Sequence, residues 1–274
     1  MQYTINELQK KARSLRKTIL NMCIKAGTGH VTSSFSCTEL LVALYYGGIL
    51  RYDNSNPQWQ GRDRFILSKG QASPLIYAIL ADLAFFPSSK LDTFCQKNGM
   101  FGVHLQNDVP GVEITAGSLG HGLGIGAGMA LAAKMDGKKY RTFVLLGDGE
   151  CHEGSVWEAA LFAGHHELDN LIAIVDRNYF CATGQTEDIV CLNPFDKKWA
   201  SCGWDVVMIN GHSFKEIFSS FKHIRSRHTK KPYIIIANTV KGKGVSFMEN
   251  KVLWHGIAPH GEEAERAIKE LEEG

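Results

Sequence analysis

An α/β fold, a mostly parallel sheet with helices on both faces, is what this sequence predicts, and three observations predict it. Apolar runs of strand length recur at 140–146, 171–175 and 233–239. Segments of helical period separate them, so the chain reads as repeated βα units, which build parallel sheets covered on both faces. The 28 glycines fall largely between the periodic segments, as tight strand-to-helix turns require.

The elements follow in order. Ile5, Leu8, Ala12, Leu15, Ile19 and Met22 recur at helical spacing with basic residues opposite, which predicts an amphipathic helix ending near Gly27. Residues 38–46 read as a second helix. A short strand at 64–68 leads into Lys69-Gly70-Gln71, and 75–83 and 90–97 read as helices. Residues 110–122 form a glycine-rich loop, with a helix at 123–135 despite its glycines. Strands at 140–146, 171–176, 204–209 and 233–239 then alternate with helices at 153–168, 194–201 and 213–226, and 262–272 reads as a short exposed terminal helix. No repeat, low-complexity tract or linker interrupts the pattern, so 1–274 is expected to be a single domain.

A net charge of +2 offers no electrostatic case for binding nucleic acid or an anionic membrane. Seven cysteines, an odd number without a C-x-x-C pair, argue against a disulfide framework and a zinc ribbon. Free thiols suggest a reducing, cytoplasmic setting. Residues 1–25 are charged throughout and lack the apolar region of a signal peptide. No apolar run approaches the ~20 residues that span a bilayer.

The chemistry concentrates where two strands end. Gly147-Asp148-Gly149-Glu150 closes one apolar run and Asn178 follows another. A carboxylate and a carboxamide therefore emerge at the same end of strands expected to be neighbours, where open α/β sheets bind ligands. Both offer hard oxygen ligands. Magnesium takes one or two such protein ligands and completes its octahedron with phosphate oxygens and water, so the pattern points to a metal plus a diphosphate. The plainer alternative is that Asp148 caps the next helix.

The glycine ladder Gly117, Gly120, Gly122, Gly124, Gly126 and Gly128 nearly matches a dinucleotide fingerprint, but 110–114 is a poor strand to precede one. Small residues that let a helix pack closely are the competing reading. Each helical glycine costs up to ~1 kcal/mol against alanine, and a helix N-terminus facing a phosphate would suit the pattern. Lys241-Gly242-Lys243-Gly244 follows the strand at 233–239 and reads equally as a phosphate contact or a flexible basic loop. His30 stands at a helix end, and His104, His255 and His260 stand in loops, where lone histidines are more often surface residues. His152, His165 and His166 belong to a helical stretch without the H-E-x-x-H pattern of a zinc helix. Glu153 and Glu158 flank that stretch, and taken alone they are solvated charges or acids complementing a helix dipole.

Together these pieces resemble the thiamine-diphosphate-binding half of the transketolase family, over nearly the whole chain. The resemblance runs through Ala26-Gly27-Thr28-Gly29-His30, Ser68-Lys69-Gly70, Pro110-Gly111-Val112-Glu113, Gly117-Ser118-Leu119-Gly120 and Gly147-Asp148-Gly149-Glu150-Cys151-His152-Glu153-Gly154 with Trp157-Glu158-Ala159. It continues in Leu168-Asp169-Asn170-Leu171, Val175-Asp176-Arg177-Asn178, Gly203-Trp204, Asn210-Gly211-His212, Lys241-Gly242-Lys243-Gly244 and Trp254-His255-Gly256. The resemblance implies a thiamine-diphosphate-binding fold and the ligation of Mg²⁺ or Ca²⁺ by Asp148, Asn178 and the backbone carbonyl of Phe180. Gly149 and Glu150 would line the diphosphate, with Gly117, Ser118, Leu119 and Lys241 also against the cofactor. His30 and His255 would face the diphosphate and the substrate channel, and His104 the donor's hydroxyls. Glu153 and Glu158 match acids that share protons between paired active sites.

The chain ends where the resemblance places the start of a pyrimidine-binding domain. It therefore resembles the N-terminal subunit of a split transketolase, which would transfer a two-carbon ketol unit from a ketose to an aldose. It would act only with a separate C-terminal subunit, in an α2β2 assembly. Sugars or sugar phosphates would be the substrates. Gln71 replaces the family's usual histidine, and glutamine cannot shuttle a proton near neutral pH. In Gly102-Val103-His104-Leu105 the histidine comes one place late. Both departures suggest an unusual donor or acceptor. The alternatives are another thiamine-diphosphate enzyme, similar to deoxyxylulose-phosphate synthase or the alpha chain of a 2-oxo acid dehydrogenase, or a scaffold subunit without catalysis.

Overall fold

In a computed structural model, which describes residues 3–226 and 229–273, five parallel strands form the centre of the chain in the order β1-β2-β3-β5-β4. They are β1 (Arg64–Leu67), β2 (Thr142–Gly147), β3 (Leu171–Arg177), β4 (Asp205–Asn210) and β5 (Tyr233–Asn238). The helices are α1 (Ile5–Ala26), α2 (Val31–Phe35), α3 (Thr38–Tyr46), α4 (Ser73–Asp82), α5 (Gly122–Met135), α6 (Gly154–His165), α7 (Thr186–Ile189), α8 (Phe195–Ser201), α9 (Phe214–Ser226) and α10 (Gly261–Glu273). The predicted α/β class is what the structure shows.

The apolar runs form strands because both of their faces are buried. Alternate residues of each strand divide between two cores. Phe143, Leu145, Ile172, Ile174, Tyr233 and Ile235 join the core that packs against α1, α3 and α4. Val144, Leu146, Ala173, Val175, Ile234 and Ile236 join the core packed against α5, α6 and α8. The edge strand β4 is the more open one.

Local chemistry sets the helix ends. Thr4 and Glu7 make a reciprocal capping box at the start of α1, and Gly27 ends it in the left-handed region at φ 66°. The glycines of α5 have a steric reason. A Cβ on Gly126 would stand 2.5 Å from Val144 Cγ2 of β2, and one on Gly122 would stand 2.3 Å from Ser68 Oγ. The helix therefore lies directly on the sheet, and close packing explains these two positions. The preceding 110–121 is loop rather than strand, so the dinucleotide fingerprint fails on its context.

Two local expectations need correction. Residues 90–97 do not form an α-helix. A 3₁₀ segment at Ser88–Thr93 stands there instead, with no buried residue that could reward a longer amphipathic turn. Helix α2 is an addition to the predicted elements: its sequence, Val-Thr-Ser-Ser-Phe, has no apolar period, yet all five residues are buried. Local acceptors satisfy hydroxyls in and just after it, Ser34 and Thr38 bonding to the carbonyls of His30 and Ser34.

Candidate functional site

Parallel pairing aligns the carboxyl ends of β2 and β3, with Gly147 opposite Asp176. The residues just beyond, Asp148 and Asn178, therefore meet above the same sheet edge. They line one cavity of about 320 Å³, together with Phe180, Gly149, Lys69 and Lys241. Glu150, Leu119, Glu153, His255 and Gln71 also reach this cavity. His30 does not line it directly, but its ring packs edge-on against His255 at 5.5 Å and tilted against His104 at 5.9 Å. Gly117 leaves room for His104, since a Cβ there would lie 3.1 Å from the imidazole. Ser118 and Glu158 are exposed, and neither contributes to the cavity wall.

Asp148 is only 1% exposed. It accepts hydrogen bonds from the backbone N–H of Tyr179 at 2.7 Å and of Gly149 at 2.9 Å, and from the Thr186 hydroxyl at 3.2 Å. The capping expectation is thus met in part, because the Gly149 bond caps a 3₁₀ turn at Gly149–His152. Among the described residues these neutral donors are its hydrogen-bond partners, and none of them is basic. Burial and then the neighbouring Asp176 charge push its pKa up to about 6. Asn178 Oδ1 accepts from Phe180 N–H at 3.1 Å, and its Nδ2 donates to Asp176 Oδ2 at 3.2 Å. That second bond turns the amide oxygen away from Asp176.

The residues present fit a divalent cation. A buried carboxylate hydrogen-bonded only by neutral donors, in the same cavity as a carboxamide oxygen fixed by its own amide, is a hard-oxygen donor set with no ion pair of its own among the described residues. The same cavity carries two lysines suited to phosphate. Lys241 is 1% exposed, and its Nζ lies 2.8 Å from His255 Nδ1. Burial and then the charge of Lys69 bring its pKa down to about 8. His30 and His255 both fall to about 4, through burial first and then through nearby positive groups. Both imidazoles are therefore neutral at physiological pH.

Two residues of this region, Asp176 and Lys69, lie within the sequence motifs but carry no role that their spacing predicts. Asp176 is fully buried and bonds to Lys69 Nζ, Ser36 Oγ and Thr239 Oγ1. Burial alone would raise its pKa, but Lys69 and the hydroxyls outweigh burial and lower it. Lys69, likewise pushed down by burial, is raised overall by Asp176. Lys69 also donates to the Ser33 carbonyl of α2 at 3.0 Å. One ion pair thus ties together the ends of β1 and β3, helix α2 and the loop after β5. A charged residue closing a buried apolar run is the available sequence signal. Glu150 plays a comparable part. Its carboxylate takes hydrogen bonds from Gly120 N–H and Gly147 N–H, each at 3.0 Å, and from Ser68 Oγ. These bonds pin the glycine loop to the strand ends.

Known proteins resemble this chain in sequence and fold. Residues 8–272 match the family model described as transketolase, thiamine diphosphate binding domain. The chain is 40% identical over 269 residues to an apulose-4-phosphate transketolase subunit of Phocaeicola vulgatus, covering 98% of this chain and 95% of that protein. It is 42% identical to the 6-deoxy-6-sulfo-D-fructose transketolase subunit SqwG of a Clostridium species, covering 97% and 96%. Its fold superposes on the crystal structure of transketolase from Campylobacter jejuni with a TM-score of 0.92 at 31% identity, over 98% of this chain but 43% of the other.

Proposed function

We infer the function from the premise that this chain belongs to the transketolase family, through its thiamine diphosphate binding domain. We read it as the N-terminal subunit of a two-component transketolase, a single diphosphate-binding domain that works with a separate C-terminal subunit in an α2β2 assembly. One observation carries the reading: relatives named as transketolase subunits match along nearly their whole length, whereas the chain spans less than half of the Campylobacter jejuni enzyme.

In this reading Asp148, Asn178 and the Phe180 carbonyl hold Mg²⁺ (or Ca²⁺). Lys241, His255, Gly149 and Glu150 surround the diphosphate, and Leu119 faces the cofactor from the loop that Gly117 and Ser118 lead into. When bound, thiamine diphosphate supplies the electron sink that lets a carbon–carbon bond beside a ketose carbonyl break and re-form. The chain's own residues anchor, orient and move protons. Neutral His30 and His255 can accept or donate hydrogen bonds to sugar hydroxyls without bringing fixed charge, and His104, packed beside His30, extends the same wall. Glu153 and Glu158 carry protons towards a second site across the assembly.

Two relatives are named for unusual ketoses, apulose 4-phosphate and a sulfosugar. With Gln71 on the cavity wall, this supports an uncommon donor rather than the common pentose phosphates, and a role in specialised cytoplasmic carbohydrate metabolism. The test is reconstitution with the candidate partner subunit, followed by assay of ketol transfer. Activity is expected only with both chains and magnesium, and weakly with xylulose 5-phosphate and ribose 5-phosphate. Full activity with that ordinary pair would refute the unusual donor. Turnover by this chain alone would refute the split enzyme, and pyruvate decarboxylation would move the assignment to another thiamine diphosphate reaction.

A further inference from the structure

The basic loop after β5 sends its two lysines into different cavities. Lys241 enters the cavity described above. Lys243 lines a separate space of about 480 Å³, walled by Arg13 and Arg16 of α1, His212, Phe214 at the start of α9, and Leu271 of α10. No lining residue is common to the two cavities. We propose that this second cavity binds a small organic phosphate.

Its floor is built from hydrogen-bonded side chains. Arg16, 6% exposed, grips Glu39 through two bonds of 2.6 and 2.8 Å. His212 Nδ1 lies 2.8 Å from Glu39, while its Nε2 accepts the Val240 N–H at 2.9 Å, which fixes the tautomer with the proton on Nδ1. The acids on the wall are already occupied. Glu39 is held by Arg16 and His212, and Glu270 accepts from Ser246 and Arg266. The cations are occupied less completely. Among the described residues Arg13 is exposed and makes no ion pair or side-chain hydrogen bond, and Lys243 reaches only Glu249, at 3.3 Å with both groups partly open. The Nε–H of Arg16 is buried without a partner among the described residues. Helix α9 begins at the same wall, with its first residue, Phe214, lining the space.

Arg13, Arg16 and Lys243 against Glu39 and Glu270 leave the lining net positive, which an anion answers, and guanidinium groups match phosphate oxygens in geometry as well as sign. The cavity falls in the size range of small-molecule sites and exceeds what a bare oxyanion fills. Phe214 and Leu271 offer apolar surface to a carbon skeleton. The ligand is therefore a phosphate ester rather than phosphate itself.

Titration of the ¹⁵N-labelled chain with glycerol 3-phosphate, followed by amide shifts, tests this without reference to the cofactor. Saturable shifts are expected at Gly244, His212 and Arg13, while Gly149 and Asn178 stay still. Glycerol should produce none, and inorganic phosphate should bind more weakly. Arg13→Glu and Lys243→Gln, both at open positions, should each weaken binding at least ~10-fold while shifting free-chain amide signals only around the substituted residue. Shifts confined to Gly149 and Asn178, undiminished binding in Arg13→Glu, or equal affinity for inorganic phosphate would each overturn the proposal.

Discussion

Two carboxylates stand at the ends of neighbouring strands, and the fold treats them oppositely. Asp176, at the end of β3, is neutralised by Lys69 and by two hydroxyls, and its pKa is lowered. Asp148, just past β2, is equally buried but bonds only to neutral donors, and its pKa rises to about 6. The first is complete as it stands and holds structure together. The second has no ion-pair partner of its own among the described residues, and burial makes its ionised form costlier in the folded chain than in water. Burial alone therefore does not distinguish a structural acid from a binding acid, whereas the presence of an internal counter-charge does.

Removing the complete carboxylate should have the largest effect. Asp176→Ala strands Lys69 as an unpaired buried cation and should cost about 3–5 kcal/mol of stability in urea denaturation. A loss within experimental error would mean that Lys69 finds another partner and that the contrast between the two sites is wrong. The incomplete carboxylate should respond in binding instead. Asp148→Ala should weaken magnesium-dependent thiamine diphosphate binding by ~100-fold or more, read by calorimetry on the assembled enzyme, because losing even an outer-shell partner costs about 10–100-fold.

A subtler effect concerns pH. The Asp148 carboxyl titrates near 6 when folded, against 3.8 as the reference for the unfolded chain. Folding therefore disfavours its ionised form, and the penalty grows as pH rises from about 4 to about 6. In the metal-free chain, Asp148→Asn should be more stable than wild type at pH 7 by on the order of 2–3 kcal/mol. The gap should close by pH 4, and magnesium with thiamine diphosphate should reverse the order. A pH-independent gap would locate the effect in packing rather than charge. The smallest effect belongs to Lys241, whose pKa is brought down to about 8. Cofactor binding above pH 8 should take up a fraction of a proton there. Calorimetry in buffers of different ionisation enthalpy should detect it, and Lys241→Met should abolish it.

How much of this is legible in the sequence follows the same physics. The strand runs at β2, β3 and β5 are readable because burial on both faces leaves continuous apolar stretches. Asp148 and Asn178 are readable because parallel strands align their carboxyl ends. Helix α2 is not, because Thr32, Ser33 and Ser34 are buried polar residues whose acceptors are invisible to periodicity. The Lys69–Asp176 pair joins positions 107 apart in the chain, and no local pattern announces a partner at that distance. The division of Lys241 and Lys243 between two cavities depends on the path of a loop with glycines at φ 78° and 101°, which composition does not specify.

The seating of α5 on the sheet carries an implication for how this sequence can drift over generations. Gly122 and Gly126 have no room for even one methyl group, while Gly128, two residues further on, faces open space. Random variation should therefore leave alternating scars along a single helix: near silence at Gly128, and a clear loss of stability at Gly126, where the obstructing atom belongs to a branched side chain of the central sheet.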